Sequence, residues 1–208
     1  AASDVYKRQL RDSLPPFSRK KAIAIIEDEF RTNINNIFLQ FSEPIAAASI
    51  AQVHFAKIKS SNTEIDVAVK VLRPEIEKII NQEMERLEWL TTFMENFTEF
   101  QRLRPNSIIK KAKEVIKFEL DLRYEAAAAS ELSENTNMDE SFYVPKVYWD
   151  KVTQKILTME KIIGVPADKI DELNEKKVNK KQAAENLIIN FLRQSISCLL
   201  YTSDAADD

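Results

Sequence analysis

The clearest pattern in the chain is the alternation of Ile65, Val67, Val69 and Val71 with Asp66, Ala68, Lys70 and Leu72. Successive side chains of a strand point to opposite faces, so this spacing predicts a β-strand with one wholly branched-aliphatic face for the core. The other face presents Ala68 and Lys70. Upstream, residues 50–58 are apolar-rich and strand-like, and the polar run Lys59-Ser-Ser-Asn-Thr63 reads as the hairpin connection. Helical spacing recurs elsewhere. Ser18 is placed to cap a helix running to Phe30, with Ala22, Ile25, Ile26 and Phe30 on one stripe. Pro74 is placed to open another, with Ile76, Ile80, Met84, Leu87, Leu90, Met94 and Phe97 on its apolar side. A second long helix is expected from about Pro105 to about Ser133. Residues 143–149 and 154–162 read as two further strands. Residues 179–196 read as a final helix with Ala183, Leu187, Ile188 and Phe191 inward.

The helix expected from Pro105 carries three carboxylates of interest. Ile108, Ala112, Val115, Glu119, Leu122, Ala126 and Ala129 step by four and three along one stripe. Glu119 thus stands where the pattern asks for an apolar residue. An unpaired buried carboxylate is costly, so Glu119 is expected to be partnered or neutral. Asp121 and Glu125 lie one turn apart on an adjacent face. With only Arg123 and Lys117 nearby in the chain, the three acids invite an external cation. For Asp121, a solvated acidic face is an equal reading.

Composition narrows the class. A chain of 208 residues with 44% hydrophobic content predicts one domain with its own core. A net charge of −3 implies no nucleic-acid or anionic-membrane partner. The single cysteine, Cys198, can form no internal disulfide, which fits a reducing compartment. The single histidine, His54, excludes His-rich metal sites and is expected to be a packed strand residue. No apolar run approaches the ~20 residues that span a bilayer, and no signal peptide is visible. Residues 1–9 and 198–208 look like translated adaptor tails and are set apart as non-native.

Two segments point to chemistry. Ile45-Ala-Ala-Ala-Ser-Ile-Ala-Gln-Val-His54 is followed by Val67-Ala-Val-Lys70. The second is close to the V-A-I-K signature of a kinase strand whose lysine pairs with ATP phosphates. The first stands where a kinase carries its glycine-rich loop, yet it holds no glycine, and the whole chain has one, Gly164. Any buried strand can read VAVK, but the alanine segment ahead of it is specific. Arg11-Asp-Ser-Leu-Pro-Pro-Phe-Ser18, Phe118-Glu-Leu-Asp-Leu-Arg-Tyr-Glu-Ala126, Val144-Pro-Lys-Val-Tyr-Trp149 and Ile156-Leu-Thr-Met-Glu-Lys-Ile-Ile-Gly164 complete the set. In this order, from about Leu10 to about Ser197, the segments resemble the UbiB-type atypical kinase-like family linked to ubiquinone (coenzyme Q) biosynthesis.

The resemblance implies an α+β fold: a protein-kinase-like N-lobe with a small antiparallel sheet and added family-specific helices, its C-lobe truncated. Residues 10–44 would form a helical extension, and 45–197 the N-lobe and the start of the C-lobe. Four residues match catalytic positions. Lys70 is the strand lysine, Glu125 the helix glutamate that pairs with it, and Glu119 and Asp121 an E-x-D motif turned to the active site. Ala46, Ala47, Ala48 and Ser49 match the alanine-rich loop. With Val53, Ala68, Lys70 and the strand-to-hinge residues Met159, Glu160 and Ile162, they make the implied site for ATP or ADP. Ligands for Mg²⁺, the catalytic base and a D-F-G-like aspartate are expected beyond Ser197, and a K-x-G-Q motif ahead of Leu10. The fragment alone is therefore expected to hold no metal and to be inactive.

By the same resemblance, the whole protein would be an atypical kinase or ATPase supporting ubiquinone synthesis, an activity whose older family name is 2-polyprenylphenol hydroxylase. Prenyl-quinone lipid precursors or ubiquinone-synthesis proteins would be its partners. It would sit on the cytoplasmic side of the inner membrane. The alternative class is a non-catalytic, pseudokinase-like lipid-binding or scaffold protein that uses nucleotide as a switch.

Overall fold

Strand formation follows the alternation. In a computed structural model, residues 15–60, 63–98, 102–139 and 141–204 are described, with side chains described to residue 193. Strands β1 (Gln40–Ala47), β2 (Ala51–Ser60), β3 (Thr63–Leu72) and β4 (Ile156–Glu160) form an antiparallel sheet in the order β1-β2-β3-β4. The hairpin register runs unbroken from Ser60 opposite Thr63 to Ala51 opposite Leu72. Ser61 and Asn62, in the expected connection, lie outside the described residues.

The two faces of β3 bury different neighbours. Val67, Val69 and Val71, each 0% exposed, join Ala56, Ile58 and Ile156 against Ala22 and Ile26 of helix α1 (Arg19–Phe30). The α1 start is the expected one: Ser18 Oγ accepts from the Lys21 N–H at 3.4 Å. On the opposite face, Ala51, Leu72 and Leu157 pack with Leu122 and Ala126 of a later helix. That second face carries Lys70.

Several elements depart from the expected pattern. Helix α2 is Ile76–Met94; Pro74 lies in the turn before it, and Glu75 takes a left-handed φ of 59° at the cap. The long helix expected from Pro105 is two helices, α3 (Pro105–Glu119) and α4 (Leu122–Asn135). The break has a local cause. Asp121 Oδ1 accepts from the Arg123 N–H at 3.1 Å, the cap geometry by which Asp competes with a continuing helix. The Leu122 N–H then donates to the Gln154 carbonyl at 2.9 Å instead of to the preceding turn. Residues 143–149 are not a strand: only Val147 bridges to Met159. Pro145 has no N–H to give a ladder there. β1 also begins well before residue 45, inside the span expected to be a helical extension.

Contacts divide the chain into two compact units, one reaching Glu131 and resuming over Pro145–Lys161, the other holding Leu132–Val144 and the chain from Ile162. The second contains helices α5 (Ile170–Glu175) and α6 (Lys180–Asp204). Within it, Asn190 donates to Ser141 Oγ at 3.3 Å and Arg193 pairs with Asp139 at 3.0 Å. The inward stripe expected of this last helix is not found. Ala183 is exposed, and Leu187, Ile188 and Phe191 are 65%, 58% and 69% exposed, whereas Asn190 is buried. Among the described residues, no helix is long and apolar enough to cross a membrane.

A polar network ties the segment before α1 to the sheet. Gln52 Oε1 accepts from the Phe17 N–H at 2.9 Å, and its Nε2 donates to the Phe17 carbonyl at 3.1 Å. That fixes the amide orientation, so Nε2 also donates to His54 Nε2, 2.8 Å away. His54 Nδ1 then donates to the Ser42 carbonyl at 2.9 Å, and the ring stacks on Phe41 at 4.4 Å. His54 is neutral by construction: a proton on Nε2 would face the Gln52 amide hydrogens. Burial accordingly pushes its pKa below the ordinary 6.5. The unfolded chain therefore takes up a proton near pH 6.5 that the folded chain takes up only at lower pH. The His54 contribution to stability is complete above pH 6.5 and lost as pH falls toward the folded-state value. We expect the urea midpoint to drop between pH 7.5 and 5.5, and His54→Asn to flatten that slope. An equal slope in both proteins would rule out His54 as its source.

Candidate functional site

The four-stranded register places one row of residues side by side: Ala46 opposite Val53, Val53 opposite Lys70, and Lys70 opposite Leu157. Ala68, two residues from Lys70, lies opposite Met159. Directly opposed residues share a face, so Ala46, Val53, Ala68, Lys70 and Met159 all belong to the face that meets α4. Ala47 and Glu160 do not. They lie opposite Gln52 and Val67, whose side chains serve the α1 face.

Lys70 finds the partner expected for it. Its ammonium donates to Glu125 Oε2 at 2.7 Å and Oε1 at 2.9 Å, from the strand to the first turn of α4. Leu122 and Ala126, buried against Ala51, Leu72 and Leu157, seat that turn on the sheet. The pair is not deeply buried: the Lys70 and Glu125 side chains are 26% and 43% exposed. Its net contribution is therefore in the range of partly solvated ion pairs, not of buried ones. We expect Glu125→Ala to cost about 1 kcal/mol in urea unfolding. A loss of about 3–5 kcal/mol would mean that the pair behaves as a buried one.

The other two acids are elsewhere. Asp121 is buried and held by Arg123, whose Nη2 approaches Oδ2 to 2.6 Å, and that guanidinium keeps the carboxyl below the usual carboxylate range. Glu119 is exposed at the end of α3, and among the described residues its side chain makes no hydrogen bond or ion pair. The expectation of a buried Glu119, partnered or neutral, fails because the stripe that implied it crosses the helix break. Two of the three acids thus have protein cations, and among the described residues no cluster of three His, Cys, Asp or Glu side chains is placed to hold a metal.

The alanine segment is mostly strand. Ala46 and Ala47 end β1, and the Ala48 N–H donates to the Ala51 carbonyl at 2.8 Å, leaving Ser49 and Ile50 as a two-residue turn. Two-residue hairpins favour positive φ, which glycine supplies, but neither Ser49 nor Ile50 adopts it. Arg73, just past β3, holds the turn by its carbonyls. Its N–H donates to the Ile50 carbonyl at 2.8 Å and its Nε to the Ala48 carbonyl at 3.0 Å. Sequence reading missed Arg73. Its only signal was a cation three residues after Lys70 in Val-Leu-Arg-Pro74. No described residue accepts a hydrogen bond from the Ser49 or Ile50 N–H.

At the far end, β4 stops at Glu160, and Ile162 belongs to the second unit, 51% exposed. The Glu160 N–H donates to the Lys146 carbonyl at 2.8 Å and the Lys161 N–H to the Asp66 carbonyl at 3.3 Å, so both donors are engaged. A separate cleft of about 430 Å³ between α2, α3 and the start of α4 is lined by Ile80, Met84, Ile116, Phe118 and Tyr124 among others, and not by Lys70.

Residues 9–205 match the sequence profile of the ABC1 atypical kinase-like domain. The chain belongs to that family. Proteins named "Probable protein kinase UbiB" from Pseudomonas putida and Pseudomonas entomophila are each 38% identical to it over 187 residues. Those alignments cover 89% of this chain and 34% of each relative, so the chain spans about a third of the length of the curated relatives it matches. Among solved structures, Rv3197 of Mycobacterium tuberculosis in complex with erythromycin superposes with a TM-score of 0.64 at 25% identity, over 82% of this chain and 42% of that one. The fold is thus α+β and kinase-like, as expected.

Proposed function

We propose that this chain is the nucleotide-holding part of a UbiB-like atypical kinase or ATPase that supports ubiquinone biosynthesis. The observation that carries the reading is the ion pair from Lys70 to Glu125 on the sheet face that also carries Val53 and Ala46 of the alanine segment. In kinases the corresponding pair sets the lysine against nucleotide phosphates. Here Glu125 would hold the Lys70 ammonium toward ATP or ADP, and the open Ser49 and Ile50 amides would meet phosphate oxygens. Ala46, Val53, Ala68 and Met159 would give the adenine side an apolar floor.

Mg²⁺ does not fit the acids present. Asp121 and Glu125 are engaged by Arg123 and Lys70, and Glu119 is exposed, so no step is assigned to a metal held by these residues. The reading gives this chain binding and orientation, not the in-line transfer. Substrates among prenyl-quinone precursors, ubiquinone-synthesis proteins as partners, and inner-membrane association belong to the same proposal. It is tested by titrating the full-length protein with MgATP and MgADP. Binding raises Tm progressively with nucleotide concentration. A Tm that stays fixed through millimolar nucleotide would end the reading.

A further inference from the structure

Arg73 makes more contacts across the alanine turn than any role in a plain strand end requires. Its main-chain N–H takes the Ile50 carbonyl at 2.8 Å, and its Nε takes the Ala48 carbonyl at 3.0 Å. Its Nη1 donates to the Pro15 carbonyl at 3.2 Å, and the guanidinium lies 6.0 Å from the centre of the Phe17 ring. Among the described residues, Nη2 is buried without a partner, a desolvation cost that the other contacts of the side chain must offset.

These contacts sort the polar groups of the turn by direction of use. Two carbonyls that would repel a phosphate are taken by one residue: the Ala48 carbonyl by the Arg73 guanidinium and the Ile50 carbonyl by the Arg73 main-chain N–H. The two amides that a phosphate would accept from, on Ser49 and Ile50, are left open among the described residues. A glycine-rich loop reaches such an arrangement by flexing over its ligand. An alanine turn has less freedom and needs an external hold.

We infer that Arg73 is a positioning residue for the alanine turn, fixing its carbonyls so that the Ser49 and Ile50 amides face a nucleotide phosphate. The inference rests on the nucleotide reading given above. Arg73 also links the turn to the Pro15–Phe17 segment, itself clamped by Gln52, and to Lys70 three residues back along the chain. The geometry of Lys70 and the geometry of the turn are thus set by neighbouring positions of one strand end.

The experiment compares Arg73→Gln, Arg73→Lys and Lys70→Met in the full-length protein, with hydrogen exchange and MgADP titration as readouts. Arg73→Gln should speed exchange of the amides in 46–52 about tenfold relative to those of the β2–β3 ladder from Val53 to Ser60. It should weaken MgADP about tenfold, the loss that one hydrogen bond to a charged group carries. Arg73→Lys keeps the charge but lacks the planar fork, so it should fall between parent and Arg73→Gln in both readouts. It also serves as the test if Arg73→Gln does not fold. Unchanged exchange in 46–52 overturns the positioning role. Faster exchange with unchanged MgADP affinity also overturns the inference, and Lys70→Met then separates the causes. If Lys70→Met weakens MgADP, only the Arg73 role fails. If it does not, the nucleotide site itself is misplaced.

Discussion

Lys70→Met in the full-length protein should lower nucleotide turnover about 10²–10³-fold, the usual loss when one charge-stabilising donor is removed from a phosphoryl or acyl site. Stability should barely move. The pair with Glu125 is partly solvated, with side chains 26% and 43% exposed, and pairs of that kind contribute about 0–1 kcal/mol. Methionine keeps most of the apolar stem that lies between Ala68 and Leu72 on the same face. The large change in turnover and the small change in stability are read from the same preparation, by a coupled nucleotide assay and a urea midpoint. Turnover equal to the parent would show that Lys70 does not meet the phosphates, whatever its pairing with Glu125. A stability loss above about 3 kcal/mol would show the opposite error, a structural lysine with a fully desolvated partner.

The sheet was legible in the sequence because it depends on a local period, whereas Glu125 as the partner of Lys70 was implied by the family resemblance and by no pattern along the chain. The alternation at Ile65–Leu72 fixes which face Lys70 takes, and a hairpin with a short connection fixes which residues of β2 stand beside it. The α1 cap and stripe were legible for the same reason: Ser18 and the Ala22, Ile26 spacing are contiguous signals. The break between α3 and α4 was not. Ile108, Ala112, Val115, Glu119, Leu122, Ala126 and Ala129 keep helical spacing straight through Asp121, so periodicity alone continues the helix. What stops it is the Asp121 cap together with the bond from Leu122 to the distant Gln154 carbonyl, which no local pattern announces. The apolar residues of α6 teach a related lesson. Helical spacing says that Leu187, Ile188 and Phe191 fall near one another, not that anything covers them. Arg73 escaped because its partners are main-chain carbonyls, which leave no side-chain signature.

Leu122→Ala should cost about 2–5 kcal/mol, the range for truncating a fully buried leucine. Leu122 is 1% exposed and packs with Ala51, Leu72, Ala126 and Leu157, so it is the residue that presses the start of α4 onto the Lys70 face. Alanine would leave a gap between a strand and a helix that are each anchored elsewhere. The strand is fixed by the hairpin and the helix start by the Asp121 cap, so neither collapses easily into the space. The cost should therefore sit in the upper part of the range. Glu125 lies one turn further along the same helix, so loosening at 122 should also weaken its hold on Lys70. Leu122→Met, which keeps the volume, should cost under about 1.5 kcal/mol and preserve nucleotide affinity. Both are checked by urea unfolding at fixed pH, with the slope of the transition compared to the parent so that a change in cooperativity is not read as a change in stability. If Leu122→Ala loses less than about 1 kcal/mol, α4 does not depend on that contact for its place on the sheet. The position of Glu125 would then have to come from the Asp121 cap and from the Leu122 N–H bond to the Gln154 carbonyl, a main-chain contact that the substitution leaves intact.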